Sequence, residues 1–397
     1  MRKVFVTGIG IISAVGNNVR ETIASVQNSR SGIGNITLID TIYKNLPFAE
    51  VKCNNSALFK KVGIEEAESF SRTALLSMVA AREALLYSKI NDIAEWKTGL
   101  ISSTTVGGMD KSELYYEDFL TNNSRNNYID IHDCADHTEK IADYLGINEY
   151  LTTISTACSS SANSIMFAAR LIRNGTLDRA IAGGSECLSK FHIDGFYSLQ
   201  ILDTEPCKPF DAFRNGLTLG EGAAYLVLES EEAVKTSGKT ILCELSGWGN
   251  ACEAYHQTAS SPEGYGAVLA MQKALAVAGL QPSQISYINA HGTGTQNNDA
   301  SEGNAIETVF GNNIPPVSST KSFTGHTTSA AGAVEGVLCI LAMNRGWLLP
   351  NLNFTHKMEN THFEPVRKLQ TNIKFRHILS NSFGFGGNDS CLIFSKV

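Results

Sequence analysis

The stretch that most constrains this chain runs from Thr152 to Gly175, TTISTACSSSANSIMFAARLIRNG. Its β-branched opening, Thr152-Thr153-Ile154, reads as the end of a strand, and after a short polar turn Ile165, Phe167, Ala168, Leu171 and Ile172 recur at helical spacing. Cys158 therefore falls at a strand-to-helix junction. The first turn of a helix has unpaired N–H groups and the positive end of the macrodipole, and both favour a thiolate. The position thus predicts a thiol with a pKa lowered below the free value of about 8.5, a nucleophile at neutral pH. The alternative is a small buried apolar residue, which free cysteine often is.

The rest of the 397 residues alternates strand and helix in the same way, which implies stacked α/β units. Val4 to Ile12 reads as a strand ending in Gly8-Ile9-Gly10, a GxG that lacks the third glycine of a dinucleotide fingerprint and reads as a tight structural turn. Residues 66 to 89 have amphipathic helical spacing, 99 to 106 a strand pattern, and Asp110 to Asn127 the polar composition of a surface excursion or lid. Residues 231 to 239 look like a connector, dividing the chain into an N-terminal half, 1–238, and a C-terminal half, 239–397. The second half repeats the alternation without an alignable internal repeat: a strand at 242–245, helices at 266–278, 300–310 and about 328–345, and strands at 285–289, 316–319, 378–382 and 390–394.

Composition narrows the class. With 43% hydrophobic and 18% charged residues and no run of ~18 apolar residues, the chain reads as a globular protein without a membrane span. Met1-Arg2-Lys3 leads directly into Val4-Phe5-Val6, so a cytoplasmic location is expected. A formal charge of −7 argues against nucleic acid as a partner. The nine cysteines show no CxxC spacing, so neither a zinc site nor a disulfide framework is expected, and no metal.

Two histidines stand in unusual company. His291 follows the strand Tyr287-Ile-Asn-Ala290 and opens His291-Gly-Thr-Gly-Thr295, whose glycines allow backbone close to a ligand; His326 closes Lys321-Ser-Phe-Thr-Gly-His326 before a helix of small residues. Thr156-Ala-Cys158-Ser-Ser, these two histidine motifs and Asn381-Ser-Phe-Gly-Phe385-Gly-Gly together resemble the elongating β-ketoacyl-acyl carrier protein synthases of the Cys-His-His type, over the length of the chain.

That resemblance implies a thiolase fold, two similar α/β halves in a five-layered αβαβα arrangement, usually as a homodimer. It implies an acyltransferase of fatty acid biosynthesis. Cys158 would accept an acyl group, His291 and His326 would hydrogen-bond the enolate formed from malonyl-acyl carrier protein, and Lys321 with Glu335 would form a buried supporting pair. The backbone N–H groups of Cys158 and Phe385 would form the oxyanion hole, with Gly384, Phe385, Gly386 and Gly387 as a gate loop. Thr293 and Thr295 would bind the carrier's phosphopantetheine arm, Asp299 and Glu302 would be structural, and no cofactor of the protein's own is implied. Acidic carrier proteins would dock on a basic patch drawn from Lys60, Lys61 and Arg72, or from Arg125 and Lys208.

The chain departs from the family pattern at Asn388-Asp389, where Thr-Asn is common, at Arg214-Asn215-Gly216, and over Tyr128 to His137. Chain length therefore does not carry over, and a polyene, pigment or polyketide pathway stands beside primary fatty acid elongation. Non-decarboxylating thiolases typically have a second cysteine where Phe385 stands, and initiating synthases pair Cys and His with Asn. Chain-length factors, the non-catalytic partners of the same fold, lack the nucleophile.

Overall fold

The computed structural model describes residues 2–122 and 126–397. Ten strands form one hydrogen-bonded array: β1 (Val4–Ser13), β2 (Thr98–Ser103), β3 (Tyr150–Ile154), β4 (Arg179–Glu186), β5 (Gly222–Ser230), β6 (Cys243–Cys252), β7 (Tyr287–Asn289), β8 (Val317–Ser318), β9 (His377–Gly384) and β10 (Asn388–Ser395). Their spatial order is β3-β2-β4-β5-β1-β6-β10-β9-β7-β8.

That order is symmetric about its middle. Moving outward from β1, the next strands are antiparallel, antiparallel, parallel and parallel; moving outward from β6, the sequence is the same. Within the sheet the halves join at β1 and β6, with Phe5 opposite Glu244 and Val6 opposite Cys243. Each half has an outer helix, Arg72–Tyr87 on β1 and β5, and Tyr265–Ala278 on β6 and β10. Between the halves lie the helices Ser160–Arg173 and Ala331–Arg345, packed on each other and on the strands. This is the five-layered thiolase fold.

Glycine explains how the outer helices come so close. A Cβ on Gly8 or Gly10 would sit 2.3 Å from the Ala84 carbonyl oxygen and 2.0 Å from that of Ala80. The same holds for Gly247 and Gly249 against Ala274 at 2.4 Å and Ala270 at 2.1 Å. The GxG of β1 is thus no turn. It lies inside a strand and lets a helix backbone rest on the sheet, and Gly247-Trp248-Gly249 does the same in the second half. The central helices use the same device: a Cβ on Gly332 would be 2.7 Å from the Ala162 Cβ, and Ser161 Oγ accepts from Ala333 N–H at 2.9 Å.

Other boundaries also move. The polar segment after Gly108 forms a helix, Met109–Thr121, with Tyr115 buried, and the connector contains the helix Glu231–Ser237, capped by the Ser230 side chain. Arg72 is buried in an ion pair with Glu221 at 2.6 Å, which removes it from any docking surface. Lys208 pairs with Glu205, Arg125 lies outside the described residues, and Lys60 and Lys61 are exposed. All nine cysteines are free, and seven are buried.

Replacing Gly249 by Val should lower stability by at least about 1–3 kcal/mol, because the new side chain meets backbone that cannot yield cheaply. Thermal unfolding followed by circular dichroism would show a clear fall in Tm; an unchanged Tm would contradict the packing just described.

Candidate active site

Cys158 sits in the turn between β3 and the helix Ser160–Arg173. Ala157 has φ +53, a left-handed conformation that costs a non-glycine residue energy and is tolerated where the surroundings enforce it. Side chains enforce it here: Ser159 Oγ donates to Thr156 O at 2.8 Å, and Ser160 Oγ to Ala157 O at 2.6 Å while accepting from Thr156 N–H at 2.8 Å. The cysteine stands two residues before the first helical residue and is buried.

Its thiol differs from the sequence expectation. Burial pushes the Cys158 thiol up to about 12, while the Lys321 ammonium and the Phe385 N–H pull it down without prevailing. The helix N-terminus is there; removal from water is the larger effect.

The gate loop folds over this turn. Gly384 lies so close that a Cβ would be 2.9 Å from Thr156 O and 3.2 Å from Cys158 N, and Gly386 and Gly387 have φ of +81 and +77. Phe385 and Cys158 line the same cavity, and the Phe385 N–H is near enough to favour the thiolate. Asn388 ties the loop to the helix that follows Cys158, since its Oδ1 accepts from Asn163 Nδ2 at 2.8 Å and Asn250 Nδ2 at 2.9 Å and lies 2.8 Å from Ser159 Oγ, whose one proton it shares with Thr156 O. This departure from Thr at position 388 supplies a four-residue polar knot that motif reading did not foresee.

The second half contributes the histidines. The rings of His291 and His326 lie 5.3 Å apart, nearly perpendicular. Lys321 Nζ donates to His291 Nδ1 at 3.2 Å and to its carbonyl at 2.6 Å, and pairs with Glu335 Oε1 at 2.5 Å. An ammonium only donates, so His291 Nδ1 is bare and its proton is on Nε2. Burial lowers the pKa of both histidines, and the Lys321 charge lowers it further, so both are neutral. Glu335 is raised to about 7 by burial, against the pull of Lys321.

The acidic residues brace the histidine loop. Glu302 accepts from the N–H groups of His291 at 2.8 Å and Gly292 at 2.7 Å and from Asn381 Nδ2 at 3.1 Å; Asp299 accepts from Phe210 N–H at 2.7 Å and Gly294 N–H at 3.2 Å. Arg214 holds the same loop through the carbonyls of Thr295 at 3.2 Å and Gln296 at 2.9 Å. The Thr293 and Thr295 hydroxyls are 3.0 Å apart.

One cavity of about 360 Å³ collects these groups: Cys158, His291, His326, Thr293, Thr295 and the whole gate loop line it. Lys321 and Glu335 lie behind the histidines. The arrangement offers a nucleophile beside a backbone donor, facing two neutral imidazoles, in a site shielded from water. That is the equipment of a thiolase-fold condensing enzyme.

Comparison with known proteins agrees. The family models described as the N-terminal and C-terminal domains of beta-ketoacyl synthase match residues 1–233 and 242–355. The chain is 33% identical to a 3-oxoacyl-[acyl-carrier-protein] synthase 2 of Staphylococcus aureus, over all of this chain and 98% of that protein. It is 35% identical to the protein of that name in Coxiella burnetii, over all of this chain and 99% of the relative. Among solved structures, the ishigamide ketosynthase/chain length factor superposes with a TM-score of 0.94 at 29% identity, covering 100% of this chain and 99% of that one. The ketosynthase ApeO in complex with its chain length factor ApeC from Xenorhabdus doucetiae does so at 0.84 and 31%, covering 100% and 98%. The chain belongs to the β-ketoacyl synthase family.

Asp389 gives the site a pH signature. It is buried, its Oδ1 has no partner, and burial together with Glu253 and Glu302 raises its pKa from 3.8 to about 8. Because the folded value lies above the unfolded one, the favourable contribution is complete below about pH 4 and is lost as the pH rises through about 8. Asp389→Asn should therefore raise Tm more at pH 8 than at pH 5. An equal shift at both pH values would mean that Asp389 is ionised throughout.

Proposed function

We propose that this protein is an elongating β-ketoacyl-acyl carrier protein synthase that extends an acyl chain by two carbons in fatty acid synthesis. The observation that carries the reading is the convergence of Cys158, His291, His326 and the Phe385 N–H on one cavity. Cys158 Sγ attacks the carbonyl of an acyl-carrier thioester; the carrier's thiol leaves with the cysteine's proton, and the acyl group stays on sulfur. The incoming thioester brings the carbonyl whose developing charge the N–H groups of Cys158 and Phe385 meet. A thiol near 12 then needs to ionise only as the bond forms.

Malonyl-carrier protein follows, its phosphopantetheine arm lying along Thr293 and Thr295. The C–C bond to the carboxylate breaks, carbon dioxide leaves, and the electron pair becomes an enolate whose oxygen accepts from the two imidazoles. Neutral rings that each donate an N–H stabilise this oxygen without giving up the proton. One well-placed donor at such an oxygen contributes ~2.7–4 kcal/mol. The enolate carbon attacks the acyl-Cys158 carbonyl, the C–S bond breaks, and the released thiolate takes a proton from solvent. The scheme needs no cofactor of the protein's own, and we place it in the cytoplasm.

We also propose that the chain works as a dimer through the edge strand β3, whose residues are half-buried to exposed and which pairs on one side only. A second copy is the first reading. The likeness to the ketosynthase/chain length factor assemblies favours a second, in which the other chain is a non-catalytic relative and the pathway is specialised.

Intact-mass spectrometry tests both. Wild type incubated with a panel of acyl-carrier proteins should gain one acyl group, and Cys158→Ala none. His291→Ala and His326→Ala should still load yet condense about 10²–10³-fold more slowly with malonyl-carrier protein. Native mass spectrometry should give twice the chain mass. A monomer inert to the whole panel would move the heterodimeric reading to the front.

Charge reversal at Lys60 and Lys61 should raise the KM for carrier-bound substrate, with an effect that shrinks at high salt. An unchanged, salt-independent KM places the carrier elsewhere.

A further inference from the structure

His192 takes no part in the reaction as written, yet it stands among the residues that do. It lies on the helix Lys190–Ser198, which Ser189 caps by accepting the His192 N–H at 3.1 Å, and its ring is buried. Its Nδ1 has no partner. A buried ring nitrogen without a partner shows that polar contacts do not fix this ring, so its role lies in what the ring packs against.

Residues four apart share a helix face, and the His192 ring meets Phe196 edge-on, with centroids 5.0 Å apart at 77°. Phe196 in turn stacks on Phe385 at 6.0 Å and 19°. Phe385 lines the same cavity as Cys158, and a Cβ on its neighbour Gly384 would lie 3.2 Å from Cys158 N. Three rings thus run from a helix anchored in the N-terminal half to the loop that closes the site from the C-terminal half.

We infer that His192 is a positioning residue for the oxyanion donor: edge-on to Phe196, it fixes the ring on which Phe385 rests and so keeps the Phe385 N–H over Cys158. Glycines flank Phe385 on both sides, so no neighbouring side chain packs this stretch; the main chain is anchored one residue on, where the Gly386 N–H donates to Gln257 O at 2.8 Å, and at Phe385 itself the ring is what packs. An aromatic edge against a ring face has a preferred geometry, which an aliphatic side chain of similar bulk lacks.

The inference rests on the synthase reading, and the test separates the two. His192→Ala and His192→Phe are made in the full chain. Single-turnover acylation of Cys158 is followed by intact mass at varied acyl-carrier protein. Carbon dioxide release from malonyl-carrier protein is measured in a Cys158→Ala background with and without His192→Ala. His192→Ala should slow acylation about tenfold at saturation with KM within twofold, and leave carbon dioxide release unchanged, because that step uses His291 and His326. His192→Phe, which keeps an aromatic edge, should restore acylation to within twofold.

Acylation by His192→Ala at the wild-type rate overturns the inference and leaves the synthase reading intact. So does an equal fall in acylation and carbon dioxide release, which marks a general structural role, and so does a His192→Phe variant as slow as His192→Ala. A wild-type chain that never acylates Cys158 overturns the synthase reading and the inference with it.

Discussion

The approach of two helices at Gly332 and Ala162 decides where the chemistry happens. Both residues lie in the first turns of their helices, so the contact fixes the two N-termini side by side at the centre of the molecule. The loops that precede those helices carry Cys158 and His326. Neither loop has to be long, and neither has to wander. Two helix N-termini, each the positive end of a dipole, converge on the cavity that Cys158 and the two histidines line.

Around that contact, the site is built from rigid supports. His291 is held from three sides: its main-chain N–H by Glu302, its carbonyl by Lys321, and its Nδ1 by the same ammonium. The Lys321–Glu335 pair is buried, so deleting either partner strands a charge away from water, a loss of about 3–5 kcal/mol. The gate loop is the exception. Its glycines remove stiffness from the backbone, and the Asn388 knot and the Phe196 stack return just enough to define it.

Much of this was legible in the residues. The motif around Cys158, the two histidine loops and the glycine-rich gate lie where strand and helix patterns put them, and the structure gathers them in one cavity. The duplication was harder to see. Thr7-Gly-Ile-Gly10 and Ser246-Gly-Trp-Gly249 are two copies of one packing device, yet a GxG read alone suggests a turn, because glycine's freedom in φ is a more familiar signal than its missing Cβ. Burial was the other blind spot. Arg72 looked like a surface cation until Glu221, 149 positions away, appeared beside it, and the Cys158 thiol looked activated until its exclusion from water was known. Long-range partners and desolvation belong to the assembled fold, and no local pattern encodes them.

The symmetric strand order also leaves two unlike ends. At one end is β3, five residues long and half-open; at the other is β8, two residues long, where the Val317 carbonyl accepts from the main chain of Val366 and the Ser319 N–H is taken by Asn351. One edge is free to pair and the other is already spoken for. Two copies joined edge to edge through β3 would present only their β8 edges at the outer ends, where these groups are already bonded. Such a pairing would leave no matching edge to recruit a third chain, so the far side of the sheet is what separates a closed pair from a filament.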